Sequence, residues 1–272
     1  MASADVSVDQ YGLNARPDFK DTIQIMDLPA KYIPETGKHR SSGRLVIVGD
    51  VHGMKESLVQ LLEKVGYKEK LDHLILAGDI ISKGPDSAGV VDLARELDAT
   101  VPADKVEDAL EEVSFSHGDY KDRKLVKDLG QKRIKWLKQC PVILRVGKLG
   151  DMGEVVVVHA GLVPGVELEK QDPTMVMNMR TIEHGVPSDE REGHGWMKVW
   201  NEFQKHHLSK HKRSTVIYGH DSKRGLQMEK YSMGIDTGCL KGGKLSAIVI
   251  EGGQSDHKHK LVQVDCKDGR QK

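Results

Sequence analysis

Arg44-Leu-Val-Ile-Val-Gly-Asp-Val-His-Gly53 decides the reading of this chain. Arg44 to Val48 is a compact, β-branched run that stops at Gly49, the composition of a buried strand. Gly49-Asp-Val-His-Gly53 then sets a carboxylate and an imidazole two residues apart at the strand's C-terminal tip, where open α/β sheets collect ligands. The flanking glycines let the backbone turn sharply beneath them. Downstream, Glu56 to Val65 places Leu58, Leu61, Leu62 and Val65 at helical spacing, and Gly66 ends the helix. His73 to Ala77 is a second buried strand, ending at Gly78-Asp79. The result is a β-α-β unit.

Ser87 to Leu97 repeats the helical pattern, so a third strand is expected directly after it. The chain instead runs Ala99-Thr-Val-Pro-Ala-Asp104 into an acidic helical stretch, 105–113, and a basic helix, Asp122 to Gln139, anchored on Leu125, Leu129, Ile134 and Leu137. Strand signals follow at Val142 to Val146, Val155 to Val158, Val216 to Tyr218, Leu245 to Ile250 and Leu261 to Val264. The expected fold is therefore α/β, a two-sheet sandwich flanked by helices. Residues 1–42, polar and carrying Pro17, Pro29 and Pro34, are expected to form an extension, with one catalytic domain over 43–272.

A 38% hydrophobic and 30% charged composition is ordinary for a soluble globular chain. The start of the sequence lacks a basic and apolar leader pattern and no run is long enough to cross a bilayer, so a cytoplasmic protein with no membrane partner is expected. Cys140, Cys239 and Cys266 are odd in number and far apart, and all three are expected to be reduced. The formal net charge is zero. Affinity for a polyanion must then come from local clusters, and no DNA partner is expected. The oligomeric state stays open.

Asp50 and His52 are joined by Asp79 at the next strand tip, and by His159 in His-Ala-Gly-Leu162 and His220 in Gly-His-Asp221, both at strand ends. A single Gly-Asp-x-His-Gly is compatible with a capped tight turn; five N/O donors from four strand tips are not. Mixed Asp/His ligation suits Zn, Mn, Fe or Co rather than Ca or Mg. A carboxylate shared by two such ions would bridge them at roughly 3.5–4 Å and lower the pKa of bound water toward about 7, the chemistry of hydrolysis at phosphorus. His73, before its strand's apolar residues, is expected to be structural. Lys205-His-His-Leu-Ser-Lys-His-Lys-Arg213 reads as a solvated loop or helix end ahead of a holder for a polyanionic chain, the glycines of Thr237 to Lys244 as turns, and the three Trp and Met175, Met177 and Met179 as packing.

The series Gly-Asp-x-His-Gly, Gly-Asp, His-Ala-Gly and Gly-His resembles that of the phosphoprotein-phosphatase group of calcineurin-like metallophosphoesterases, over roughly residues 43–252. Gly78-Asp-Ile-Ile-Ser-Lys-Gly-Pro85, with Tyr218-Gly-His-Asp-Ser-Lys-Arg-Gly-Leu226 and Gly234-Ile-Asp-Thr-Gly-Cys-Leu-Lys-Gly-Gly-Lys-Leu245, is similar to the ApaH-like branch, whose members include fungal zinc-dependent endopolyphosphatases and enzymes that cut diadenosine polyphosphates or messenger RNA caps. The resemblance implies two divalent metal ions: Asp50 and His52 on the first, Asp79 bridging, His159 and His220 on the second. Lys83 and Arg180 become phosphate-binding residues. The implied substrate is a phosphoanhydride, polyphosphate first and dinucleoside polyphosphates or caps next. A protein serine/threonine phosphatase is the near rival, disfavoured by Lys83 where that group has arginine.

Members of the group also carry Gly-Asn-His-Glu or Gly-Asn-His-Asp after the third strand, where the Asn binds the second metal and the His is the catalytic acid. No Asn-His dipeptide occurs in this sequence, and the step from Asp98-Ala99 to Thr100-Val-Pro102 falls where that segment belongs. The resemblance implies that a block of residues is missing near 99–101, that the second metal site is weakened, and that no catalytic acid is identified. A pseudophosphatase that binds metal and phosphate without turnover is the alternative of a different class. Ser116-His-Gly-Asp119 follows a predicted helix rather than a strand and reads as a surface loop.

Overall fold

The computed structural model describes residues 10–11, 14–37, 43–102 and 120–270. One sheet has six strands. In chain order these are β1 (Ile25–Asp27), β4 (Ile143–Lys148), β5 (Glu154–Val158), β6 (Ser214–Tyr218), β7 (Gln227–Met228) and β8 (Ser232–Gly234), arranged β7-β8-β6-β5-β4-β1. A second has four, β2 (Leu45–Val48), β3 (His73–Leu76), β9 (Lys244–Gly252) and β10 (His257–Asp265), arranged β10-β9-β2-β3, and two smaller sheets of two and three strands lie outside this pair. The five α-helices described are α1 (Lys55–Val65), α2 (Ser87–Glu96), α3 (Tyr120–Leu137), α4 (Pro173–Asn178) and α5 (Trp196–His206).

Continuous apolar strands are explained by burial on both faces. In β2, Leu45 and Ile47 point between the sheets with Ile75, Val155, Val157, Ile217, Ile248 and Ile250, whereas Val46 and Val48 pack outward with Leu58 and Leu61 of α1 and Val90 and Val91 of α2. On the far side, Val156, Val158 and Val216 meet Trp196 and Trp200 of α5. Each fully buried Leu or Ile contributes roughly 1.5–3 kcal/mol, so the interleaved layers rather than helix propensity fix the sandwich. The helix ends are local. Gly66 closes α1 in the left-handed region, at φ 62°, and the Asp86 carboxylate caps α2 by accepting from Gly89 N at 2.7 Å.

Two expectations need correction. Cys239 and Cys266 form a disulfide. The 27-residue spacing hides the pairing, but β9 and β10 are antiparallel with Lys244 opposite Asp265, and the turn before β9 folds Cys239 back onto Cys266. The basic helix is two helices meeting at Gly130, whose φ of 68° and ψ of 163° interrupt the ladder. Leu129, Ile134 and Leu137 still bury, and Arg133 ties α3 to Asp92 of α2 through bonds of 2.8 and 2.6 Å. Within 1–42, residues 25–27 add a parallel edge strand to β4, and Leu28 buries between the sheets. The 105–113 stretch and Ser116-His-Gly-Asp119 lie outside the described residues.

A third parallel strand beside β3 is reduced to one bridge. Thr100 N donates to Leu74 O and Leu76 N donates to Thr100 O, both at 3.0 Å.

Candidate metal centre

Parallel pairing gathers the site. β2 and β3 run parallel, with Leu45 opposite His73, so Asp50 and Asp79 leave the same end of one sheet. β5 and β6 are likewise parallel, with Val155 opposite Thr215, so His159 and His220 leave the same end of the other. Among the described residues, Asp50, His52 and Asp79 offer ligand atoms that all lie within 4.8 Å of one another. His52 Nε2 stands 3.2 Å from Asp79 Oδ2, His159 Nε2 3.7 Å from Asp79 Oδ1, and His220 Nδ1 3.1 Å from His159 Nε2. The backbone N–H of His220 lies 3.1 Å from both oxygens of Asp50. Asp50, His52 and Asp79 thus form one group, to which His159 connects through Asp79 and His220 through His159.

Close backbone approach makes this possible. A Cβ on Gly219 would stand 1.9 Å from Asp50 Oδ1, and one on Gly78 would stand 2.3 Å from His159 Nδ1. His52 and Asp79 themselves adopt positive φ, 47° and 39°, a strained backbone that the surrounding hydrogen bonds hold, among them His52 N to Asp79 O at 2.6 Å.

The two later histidines carry a specific message. His159 Nδ1 faces Ala77 O at 3.2 Å and His220 Nε2 faces Asn178 O at 3.0 Å. A carbonyl oxygen only accepts, so each of those nitrogens carries its proton, and the lone pairs of His159 Nε2 and His220 Nδ1 are turned toward each other. Burial also pushes His220 down to about 3 and lowers His52, so both imidazoles are neutral near pH 7. Two facing lone pairs beside a carboxylate are a poor arrangement without a cation and a good one around it, and the carbonyl partners are the outer shell that orients metal-binding imidazoles.

The carboxylates agree. Burial, with Asp236 and then Asp79 alongside, pushes Asp50 well above the usual carboxylate range. Burial alone would raise Asp79, but His159, His52, Lys83 and His220 outweigh it and hold the carboxyl at about 2. Two or three acidic groups packed around neutral imidazoles are stabilised by divalent charge. The donor set fits such ions.

Lys83 Nζ sits 3.5 Å from Asp79 Oδ2 with its side chain more than half exposed, free to turn to an incoming anion. Arg180 lines the cleft beside His220, its Nη1 donating to Asp189 O at 2.7 Å and its buried Nε lacking a partner. Two elements escaped the sequence reading. Asp236, only 5% exposed, borders Asp50; it lies just past the tip of β8 with Gly234 and Gly238 two residues to either side, a looser signal than the Gly-Asp of Asp50 and Asp79. Asp221, with Arg191 and Arg224 bonded to it, adjoins His220, and only its place in the Gly-His-Asp run marks it in the sequence. Asn178 reaches His220 through its backbone carbonyl, while its side-chain amide donates to Thr174 O.

The profile of the calcineurin-like phosphoesterases matches residues 43–249. The chain belongs to the calcineurin-like phosphoesterase family. Among curated relatives, this phosphoesterase is 26% identical to the zinc-dependent endopolyphosphatase of Saccharomyces cerevisiae, an alignment covering 81% of this chain and 80% of the relative. It is also 26% identical to the symmetrical bis(5'-nucleosyl)-tetraphosphatase of Dechloromonas aromatica, over 80% of this chain and 95% of that one. A crystal structure of a proposed diadenosine tetraphosphatase superposes with a TM-score of 0.71 at 29% identity, covering 91% of this phosphoesterase and all of its own chain. The family uses divalent metals, and the Asp50, His52, Asp79 group is where this member offers ligands for one.

Proposed function

We propose that this phosphoesterase hydrolyses phosphoanhydride bonds with two divalent ions, of which Zn, Mn, Fe or Co suits the donors, and that polyphosphate is its first substrate class, ahead of dinucleoside polyphosphates and caps. The observation that carries it is the facing lone pairs of His159 and His220 beside Asp79 and Lys83. Asp50, His52 and Asp79 would hold one ion, and Asp79, His159 and His220 the other. Bound ions would supply a water of lowered pKa and charge for the phosphoryl oxygens. The chain's own residues do the rest. Ala77 O and Asn178 O fix the imidazole tautomers, His220 N–H and the Gly219 turn hold Asp50 in place, and Lys83 and Arg180 bind the phosphate oxygens.

The relatives act on polyphosphate or dinucleoside tetraphosphate by their names, which supports the anhydride class. The lack of an Asn-His motif supports one further inference within this reading: the second ion is held more weakly. It also favours a second reading, a pseudophosphatase that binds without turnover, because the strand that would end in the motif is a single bridge at Thr100. Among the described residues no helix is long and apolar enough to cross a membrane. A cytosolic location meets one opposing observation, the Cys239–Cys266 disulfide, which persists best in oxidising surroundings.

Phosphate release from tripolyphosphate, followed with Zn²⁺, Mn²⁺ or Co²⁺, tests the proposal. Metal-dependent release by the wild type that disappears in His52→Ala supports hydrolysis; equal, negligible release by both supports the pseudophosphatase.

A further inference from the structure

Next to the imidazole pair lies a narrow cleft whose lining includes Arg180, Trp196, His220, Asp221, Arg224 and Gln227. Asp221 is its one lining carboxylate among the described residues and is 8% exposed. It accepts from Arg191 Nη1 at 2.8 Å and from Arg224 Nε at 3.0 Å. One guanidinium would neutralise it. Two, with Arg180 close by, leave a surplus of positive charge on this wall, in addition to Lys83 beside Asp79. Gly195 makes room for the arrangement, because a Cβ there would stand 2.8 Å from Arg224 Nη1. The buried Nε of Arg180 has no partner within the protein, a donor awaiting an acceptor.

The charge is more than one phosphate needs. At the reacting phosphoryl group, Lys83 and bound metal ions would already supply cations. Arg191 and Arg224 are anchored beyond His220 by a buried carboxylate, which orders their planar forks for bidentate contact with phosphate oxygens. We propose that Arg224, positioned by Asp221 and Arg191, forms with Arg180 a subsite for the phosphates of a linear polyphosphate chain beyond the one that reacts. This rests on the phosphoanhydride reading above and narrows it. The aromatic rings that reach the cleft, Trp196 and Tyr218, are 3% and 4% exposed and packed edge to face, so neither offers a stacking surface to a nucleobase. A bare chain fits this wall better than a dinucleotide.

Binding separates this subsite from turnover. The full chain, stripped of metal and dialysed, would be titrated calorimetrically with orthophosphate, tripolyphosphate, tetrapolyphosphate and diadenosine tetraphosphate. Wild type is expected to take tripolyphosphate at least roughly tenfold more tightly than orthophosphate, as one or two additional charge-assisted hydrogen bonds allow. Arg224→Gln should lose that advantage and keep its orthophosphate affinity, Arg224→Lys should retain part of it, and Lys210→Gln, at an exposed pair with Asp151 away from the cleft, should match wild type. Thermal midpoints identify any variant that fails to fold, in which case Arg191→Gln gives the same test. An Arg224→Gln protein that binds tripolyphosphate like wild type would overturn the subsite. So would equal losses on both anions, a wild type with no preference for the longer chain, or tighter binding of diadenosine tetraphosphate than of tetrapolyphosphate. Selective binding without hydrolysis in the metal-loaded protein would leave the subsite standing and overturn the hydrolytic reading instead.

Discussion

His159 Nε2 and His220 Nδ1 face each other across 3.1 Å, and backbone carbonyls from Ala77 and Asn178 hold the protons on the opposite side of each ring. Under the two-metal proposal, this main-chain orientation turns both remaining ring nitrogens toward one ion. Removing either imidazole should lower affinity for the second ion without abolishing the first, which keeps Asp50, His52 and Asp79. Equilibrium dialysis of Mn²⁺ against His220→Ala is expected to show one retained site and a loss of about 10–100-fold or more at the other.

Stability should depend on pH through a histidine outside the site. His73 is buried, stacks on Tyr32 at 3.7 Å and meets Thr100 Oγ1 at 2.9 Å; burial pushes it down to about 4. An unfolded chain takes up that proton near pH 6.5 and the folded chain near 4, so stability is complete above about 6.5 and falls as pH drops through this window. The loss is worth roughly 3 kcal/mol. Denaturant unfolding at pH 7 and pH 4.5 should show a smaller difference for His73→Phe than for wild type.

The disulfide should stabilise the β9–β10 hairpin and the Asp236 turn that leads into it. Closing a loop of this size typically contributes about 2–4 kcal/mol, mostly by restricting the unfolded chain. Unfolding midpoints of Cys239→Ser and of wild type in reductant are expected to fall together, and Cys140→Ser should be close to neutral.

Asp72 anchors the start of the site-bearing unit. Its carboxylate accepts from Arg44 N and Nε, both at 3.0 Å, and from Lys68 N at 2.9 Å, joining the entrances of β2 and β3. Asp72→Ala removes the carboxylate from a part-buried Arg44 guanidinium that keeps Val65 O and Gly66 O, and should cost about 1.5–3 kcal/mol, measured by chemical denaturation. Lys124→Ala, whose partner Asp128 is exposed, should cost less than about 1 kcal/mol.

Much of this was legible in the sequence because glycine marks the places where backbone meets side chain. Gly49, Gly78 and Gly219 sit at strand tips, and each lacks room for a Cβ in the fold, so Gly-flanked Asp and His residues point to the cluster reliably. Asp236 is less legible, because its nearest glycines, Gly234 and Gly238, stand two residues away and read as turns. The Cys239–Cys266 pair and the Asp221 network were hidden for another reason. Both depend on which distant strands pair and where their ends fall, and neither local spacing nor composition carries that information. β1 was missed because three residues, Ile25–Asp27, are too short to show a period.

Loss of a proton donor should matter by leaving group. A positioned acid is typically worth about 10²–10⁴ in rate, but a phosphate leaving from polyphosphate is weakly basic and departs with charge stabilisation from metal or Lys83, whereas a serine alkoxide needs the proton. Inserting a Gly-Asn-His-Glu strand after Thr100 is expected to raise kcat/KM far more for a phosphoserine peptide than for tripolyphosphate. An equal factor on both would show that the segment acts through metal retention or folding.

Cobalt titration of the full chain, followed by visible absorption and by bound ions per protein, bears most directly on the metal centre. Two ions of unequal affinity are expected, the weaker lost in His220→Ala and both impaired in Asp79→Asn, the shared carboxylate. Failure of wild type to bind Co²⁺, or binding that is unchanged in Asp79→Asn, would contradict a two-metal site built from these five residues.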